Sequence, residues 1–177
     1  MHDPRQPDAG FSLIELLVVI AIIAIITALA TAGLLRSRAA ANEADAIASV
    51  RVIHSSQSAY SIACGRGAFA PSLLVLGTPP PSGGGGEAAF ISADLGSSAT
   101  PSKAGYQFNL VAGAGSSAGP PDCNNGPTVT NYYVSAVPLS LVSGSRSFAI
   151  TVNGTIWQLG GGTAPTPPFG PPATPIQ

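Results

Sequence analysis

An uncharged apolar run near the N-terminus constrains this chain more than any other feature of its sequence. From Leu16 to Leu35 the run contains only alanine, isoleucine, leucine and valine with two threonines and one glycine. A helix of about 20 such residues is long enough to cross the hydrocarbon core of a bilayer. Glu15 lies at the front edge of the run, and because a carboxylate is costly in hydrocarbon, we expect it to have a partner or a function. The run therefore predicts a membrane-spanning helix.

The ten residues before Phe11 predict a leader that differs from a secretory signal peptide. They are polar and are interrupted by Pro4 and Pro7. A secretory signal peptide places its apolar core before the cleavage site, whereas here the apolar segment follows Gly10. A cut after Gly10 would therefore remove residues 1–10 and retain the apolar run.

The segment from Gly10 to Glu15 reads Gly-Phe-Ser-Leu-Ile-Glu. Together with the apolar run it resembles the prepilin signal of type IV pilins and type II secretion pseudopilins. The resemblance implies that a prepilin peptidase cleaves after Gly10 on the cytoplasmic side, and that the new amine on Phe11 is methylated. In a packed filament Glu15 would meet the Phe11 amine of a neighbouring subunit and so set the register. The alternative is that Glu15 is an interfacial residue of an ordinary single-span anchor.

Helical spacing continues beyond the span. Arg38 and Glu43 are expected to mark the exit of the helix into water. One helical face then carries a stripe that consists of Ile47, Val50, Ile53, Gln57, Tyr60 and Cys64. This spacing predicts one helix from about Phe11 to Ala63, with Gly65 ending it.

Alternating runs in the second half of the chain predict an antiparallel sheet. The four strand candidates are residues 106–111, 132–137, 146–152 and 155–159. Asn153-Gly154 separates the last two, and Asn-Gly between alternating runs indicates a two-residue type I′ hairpin turn. The predicted fold class is α+β and pilin-like, with one long N-terminal helix packed under a sheet of about four strands.

These patterns divide the chain into five predicted segments. They are the leader at residues 1–10, a transmembrane or filament-core helix at 11–35, the amphipathic half of that helix at 36–64, a globular head at 65–159 and a Gly/Pro-rich tail at 160–177. The tail is predicted to be exposed and disordered, because its composition offers little apolar surface to bury.

The chain has two cysteines, Cys64 and Cys123. Since the resemblance implies a head outside the cytoplasm, in an oxidising compartment, we expect a disulfide between them. It would close a loop of about 60 residues and contribute roughly 4 kcal/mol in the chain-entropy model. The alternative is a pair of buried free thiols.

No residue pattern indicates catalysis, a cofactor or a metal. His54 is the only histidine after the leader; Ser55, Ser56 and Ser58 lie nearby, but no acid is placed to orient it. The glycines at 83–86 lack the flanking Lys-Ser/Thr of a phosphate-binding loop. With 8% charged residues and a net charge of −1, the chain has no basic surface for nucleic acid. We expect a protein that is not an enzyme and takes no cofactor.

The resemblance implies a structural subunit of a type IV pilus that polymerises with copies of itself through its N-terminal helix. Its partners would be the prepilin peptidase and methyltransferase, the inner-membrane assembly machinery and, before assembly, membrane lipid. The subunit would span the inner membrane with its head in the periplasm and then move into an extracellular pilus. One alternative is a type II secretion pseudopilin, minor rather than major, because only Asp94 and Asp122 follow Glu87 as acids for a calcium site. Another is a binding or adhesion subunit at a pilus tip.

Overall fold

The computed structural model describes residues 10–81 and 88–176. The predicted leader apart from Gly10, and most of the glycine-rich segment after Pro81, lie outside the described residues. The chain divides into two compact units, Met1–Ser37 and Arg38–Gln177.

The described residues form one long helix, two short ones and a single sheet. The helices are α1 (Leu13–Ala63), α2 (Leu73–Leu76) and α3 (Ala93–Gly96). The strands are β1 (Ser102–Lys103), β2 (Tyr106–Ala112), β3 (Tyr132–Pro138), β4 (Arg146–Thr151), β5 (Ile156–Gly160) and β6 (Thr174–Pro175). Each strand pairs antiparallel with the next in the chain, so the sheet is a meander in the order β1-β2-β3-β4-β5-β6. The predicted α+β arrangement is confirmed.

The strand count is higher than predicted. Strands β2 to β5 correspond to the four strand candidates, with ends that differ by one residue. The two extra strands, β1 and β6, have two residues each and lie at the edges of the sheet. Two residues are too few to show an alternating pattern, so the sequence carried no periodic signal for them.

The second unit has one hydrophobic core between its part of α1 and the sheet. Alternate residues of the central strands enter it: Tyr106, Phe108, Leu110, Tyr132, Val134, Ala136, Phe148 and Ile150 are all buried. The buried residues of the predicted stripe are Val50, Ile53, Gln57 and Tyr60 on α1 and Cys64 directly after it, and Ile47 packs against them half-buried. The stripe is therefore the face of α1 that packs on the sheet.

Gln57 is the one strongly polar member of this stripe, and it is fully buried. Its side-chain amide pairs with the backbone of Ala70: Nε2 donates to the carbonyl oxygen at 2.8 Å, and Oε1 accepts from the amide N–H at 2.9 Å. Both hydrogen-bonding groups of the amide are thus satisfied, as burial requires. The pair ties the loop after α1 to the helix.

Glu43 was predicted to mark the exit of the helix into water, but this prediction is wrong because Glu43 is buried. Its Oε2 accepts from Arg146 Nη2 at 2.6 Å and Nε at 2.9 Å, and its Oε1 accepts from the Ser145 N–H and hydroxyl at 2.8 and 2.9 Å. Burial raises the pKa of the carboxyl, but the hydrogen bonds from Arg146 and Ser145 outweigh it. The net pKa lies below its ordinary value of 4.5. Glu43 therefore joins α1 to the start of β4 as a charged group.

Glu43→Gln should lower the free energy of unfolding by about 2 kcal/mol at neutral pH, because hydrogen bonds to a charged group become weaker neutral ones. The lowered pKa means that the carboxylate stabilises the folded chain above the unfolded-state pKa, and that this contribution is lost as pH falls through the folded-state value. The difference between wild type and variant should therefore shrink below pH 4.5. Urea unfolding at several pH values measures this difference, and a difference that is constant with pH would contradict the assignment.

The hairpin at Asn153-Gly154 exists, but the predicted two-residue type I′ turn is wrong. Five residues separate the paired positions Ile150 and Ile156, and a two-residue turn needs an even number. The Gly154 N–H donates to the Thr151 carbonyl at 3.0 Å, and Gly154 has a φ of +78°. Asn153 is not among the residues with positive φ, whereas a type I′ turn requires positive φ at both central residues. The connection between β4 and β5 consists of residues 152–155, and the left-handed glycine is the third of these four.

The Gly/Pro-rich tail is ordered rather than disordered through residue 176. Phe169 stacks on Trp157 with ring centroids 5.2 Å apart, and the Tyr133 hydroxyl donates to the Pro165 carbonyl at 2.6 Å. Ile176 N–H donates to the Ile156 carbonyl at 2.8 Å, beside the pairing of β6 with β5. These contacts come from residues distant in sequence, and composition alone does not reveal them.

Candidate functional site: the N-terminal assembly segment

Residues 10–35, here called the assembly segment, contain the predicted processing site. Gly10, Phe11 and Ser12 precede the helix, and all three are exposed. Helix α1 begins at Leu13, two residues later than predicted, and the Ser12 carbonyl accepts the Leu16 N–H at 3.2 Å. The Gly10–Phe11 bond therefore lies in non-helical backbone on the surface, which is the form in which a peptidase can take up a chain.

Glu15 lies in the first turn of α1 and is exposed. A carboxylate there interacts favourably with the positive end of the helix dipole. Ser12 and Glu15 also have the spacing of a capping box, in which the glutamate accepts a backbone N–H of the cap residue. This gives Glu15 a second candidate role beside that of an assembly partner, and the Ser-x-x-Glu spacing is its signal in the sequence.

The remainder of the assembly segment presents apolar side chains around the whole helix. Its large apolar residues with described side chains are all exposed. The exposed fraction is lowest for Val19, at 44%, and highest for Leu13, at 81%. The segment forms the first part of α1, the one described helix that is long and apolar enough to cross a membrane, a test that some soluble core helices and signal sequences also pass. A helix that is apolar on all sides is normally covered by lipid or by other helices. No residue of the most apolar window of α1 is buried within the described part of the chain.

At the other end of α1 the structure brings the two cysteines together. Cys64 and Cys123 form a disulfide with Cα atoms 4.8 Å apart. The Cys123 N–H donates to the Cys64 carbonyl at 3.0 Å, so the backbones are joined as well. The bond ties the loop between β2 and β3 to the residue that follows α1.

Asp122, next to this disulfide, is a buried carboxylate with a structural role that was not predicted from the sequence. It accepts from the N–H groups of Asn124 at 2.8 Å and Gly126 at 2.6 Å, and from the Tyr60 hydroxyl at 2.7 Å. Burial, with the hydrogen bond to Asp122, raises the pKa of Tyr60, so this tyrosine stays protonated and donates. The Asp-x-Asn-x-Gly sequence could have signalled the turn, because aspartate commonly bonds the backbone two residues on. Asp122 holds the disulfide loop on α1.

His54, the histidine weighed as a catalytic candidate, has a structural partner. Its Nδ1 lies 2.6 Å from the Tyr132 hydroxyl. Burial raises the pKa of Tyr132 to about 12, so at neutral pH the phenol is protonated and can donate to Nδ1. The contact links α1 to β3 within the second unit.

Comparison with known proteins gives a match that overlaps most of the assembly segment. Residues 5–31 match the family model described as the prokaryotic N-terminal methylation motif. This motif is the hallmark of type IV pilins and pseudopilins, and such proteins are structural subunits rather than enzymes. The chain therefore carries the N-terminal signature of a pilin-type precursor.

The match ends within the assembly segment and leaves the head outside it. No curated protein and no solved structure matches the chain.

Proposed function

We propose that the chain is a structural subunit of a type IV pilus, cleaved after Gly10, methylated on Phe11 and polymerised through α1. The observation that carries this proposal is the coincidence of the methylation motif with the assembly segment, whose large apolar side chains, where described, are exposed. In the membrane, lipid would cover that surface; in a filament, the same helix of other subunits would do so. Polymerisation then needs no second apolar surface.

Glu15 and Phe11 would set the register of assembly. Cleavage after Gly10 creates an amine at Phe11, four residues before the carboxylate. A free carboxylate among apolar helices is unfavourable, whereas one paired with the amine of a neighbouring subunit is compensated. A subunit would therefore add only where its carboxylate meets an amine.

Before assembly, the subunit would be held in the inner membrane by residues 11–35 with the head in the periplasm. The disulfide supports this placement, because disulfides persist in oxidising compartments. After assembly the head would lie on the surface of an extracellular pilus. Prepilin peptidase, methyltransferase and the inner-membrane assembly machinery would be its partners.

A pseudopilin of a type II secretion system is the second candidate, since pseudopilins share the methylation motif. A pseudopilin would be processed at the same bond and packed through the same helix, but its filament would stay within the cell envelope. The location of the mature subunit therefore separates the two functions.

Gly10→Val should leave most of the precursor uncleaved, because a branched side chain at the scissile position obstructs entry of the backbone into a peptidase cleft. Mass spectrometry of the N-terminal peptide in isolated membranes measures the cleaved fraction. The matched control is Gly33→Val, the same change in the assembly segment away from the bond, where an added Cβ meets no other atom within 4 Å. Equal cleavage of the two variants at Phe11 would contradict the proposed processing site.

A further inference from the structure

The loop between β3 and β4 carries an apolar patch at its tip. Leu139, Leu141 and Val142 are 57%, 82% and 63% exposed, and they fall within four consecutive positions. Loop tips usually carry glycine, proline, asparagine, aspartate or serine. A single exposed leucine needs no explanation, but a cluster of three marks a candidate contact surface. We call residues 139–142 the apolar tip.

Backbone hydrogen bonds close the loop that carries the apolar tip. The Ser143 N–H donates to the Ser140 carbonyl at 3.0 Å, and the Gly144 N–H donates to the same oxygen at 3.3 Å. At the base of the loop the Leu139 N–H donates to the Gly105 carbonyl at 2.9 Å. Because these hydrogen bonds already constrain the backbone, covering the side chains would cost less conformational entropy than ordering a free loop.

The loop that carries the tip is hydrogen-bonded to the start of the second unit, which follows the apolar run in the sequence. Asn42 Nδ2 of α1 donates to the Ser143 carbonyl at 3.0 Å. Arg38 is one helical turn before Asn42 on the same face of α1, and it is exposed. In the sequence, Arg38 follows Leu35, the last residue of the apolar run, by three positions.

The charges around the tip are compatible with a lipid headgroup surface. Glu43 is paired with Arg146, and Asp94 is paired with Lys103 at 2.9 Å, so these carboxylates do not present a free negative charge. Asp45 is half-buried in the next turn of α1. Exposed Arg38 can reach lipid phosphate with its long side chain.

We propose that, before assembly, the apolar tip inserts into the headgroup region of the bilayer that holds the assembly segment. The tip would be a second, shallow membrane contact, in which apolar side chains enter the boundary between headgroups and acyl chains by about 5–10 Å. It would fix the orientation of the head on the membrane and keep the apolar tip from other proteins until the subunit is extracted. The proposal rests on membrane anchoring of the subunit, as proposed above.

Depth-dependent quenching of tryptophan fluorescence tests the proposal on the full chain. In a Trp157→Phe background, which keeps an aromatic ring against Phe169, a single tryptophan is placed at one of three positions. The variants are Leu141→Trp in the tip, Ile22→Trp in the assembly segment and Ile62→Trp at the far end of α1, where the side chain is 86% exposed. Each is reconstituted at low protein-to-lipid ratio in vesicles of phosphatidylethanolamine and phosphatidylglycerol with lipids brominated near the glycerol end or near the methyl end of the acyl chain.

The proposal predicts that the Leu141→Trp variant emits to the blue of the Ile62→Trp variant and is quenched about twofold or more by the shallow bromines, and less by the deep ones. Ile22→Trp should be quenched strongly, and Ile62→Trp should not be quenched. Water-like, unquenched emission from Leu141→Trp with Ile22→Trp quenched would overturn the proposal while leaving the membrane anchor intact. An unquenched Ile22→Trp would overturn the anchor and the proposal together. A blue shift of Leu141→Trp that appears only at high protein-to-lipid ratio would assign the tip to contact with a second copy, and would likewise overturn it.

Discussion

Glu15→Gln should reduce filament assembly by about two orders of magnitude or more without preventing membrane insertion or leader cleavage. The substitution would leave the Phe11 amine of the neighbouring subunit without its carboxylate among apolar helices. Breaking a buried ion pair by removing one partner costs about 3–5 kcal/mol. That free energy corresponds to roughly a hundred- to several-thousandfold change in the equilibrium constant for adding a subunit.

Glutamine separates the two candidate roles of Glu15. Its side chain has the same length and still accepts the backbone N–H of a capping box with Ser12, so the start of α1 is preserved. Only the charge is lost. Asp45→Asn is the matched control, since it also replaces a carboxylate by its amide on α1 but outside the assembly segment.

The measurement is the ratio of subunit in sheared filaments to mature subunit in the membrane, with the N-terminal peptide checked by mass spectrometry. We expect the Asp45→Asn ratio to stay close to that of wild type and the Glu15→Gln ratio to collapse. Assembly of Glu15→Gln at the wild-type level would mean that Glu15 serves only as a helix cap or interfacial residue.

Loss of the disulfide should have the largest effect on the stability of the head. Cys64 and Cys123 are 59 positions apart, so their bond removes a long loop from the unfolded ensemble. The chain-entropy model assigns about 4 kcal/mol to a loop of this size. We expect the Cys64→Ser, Cys123→Ser double variant to unfold at correspondingly lower urea concentration.

Urea unfolding of the full chain in detergent, followed by the fluorescence of Trp157, measures this change. Reductant should destabilise the wild type by a similar amount and leave the double variant unaffected, which separates the bond from any effect of serine in the core. A loss below about 1 kcal/mol would contradict this assignment. In that case the hydrogen bonds of Asp122 would suffice to hold the loop.

The helix and the central strands could be predicted from the sequence because their patterns are periodic. The stripe from Ile47 to Cys64 follows the helical repeat, and β2 to β5 arise from runs of alternating residues. In both cases the side chains that share a face also share the core. Local periodicity therefore sufficed for the elements that bury the most surface.

The predictions that proved wrong concern features that the local residue pattern does not determine. Glu43 reads as a solvent-exposed charge, but Arg146 covers it from 103 positions away. The tail reads as disordered, but Trp157 and Tyr133 supply the surface that orders it. The turn at Asn153-Gly154 is set by the register of β4 and β5 rather than by its own two residues. The partners of Glu43 and of the tail lie outside the local sequence window, and the two turn residues by themselves do not reveal the strand register.

The assembly segment was the part of the site most accessible to sequence analysis, because processing signals are read along the chain. The spacing from Gly10 to Glu15 and the apolar run sufficed to identify it, and the methylation-motif match covers the same residues. The hydrogen bond between Asp122 and Tyr60 of α1 was less accessible, because Tyr60 is 62 positions away from Asp122.

Electron microscopy of filaments sheared from the cell surface, combined with mass spectrometry of their subunits, tests the central claim most directly. The account predicts extracellular filaments whose subunit begins at a methylated Phe11. Mature subunit confined to the cell envelope, with no filament outside, would contradict the pilus assignment and favour a pseudopilin. A subunit that retains residues 1–10 in both fractions would contradict processing at Gly10 altogether.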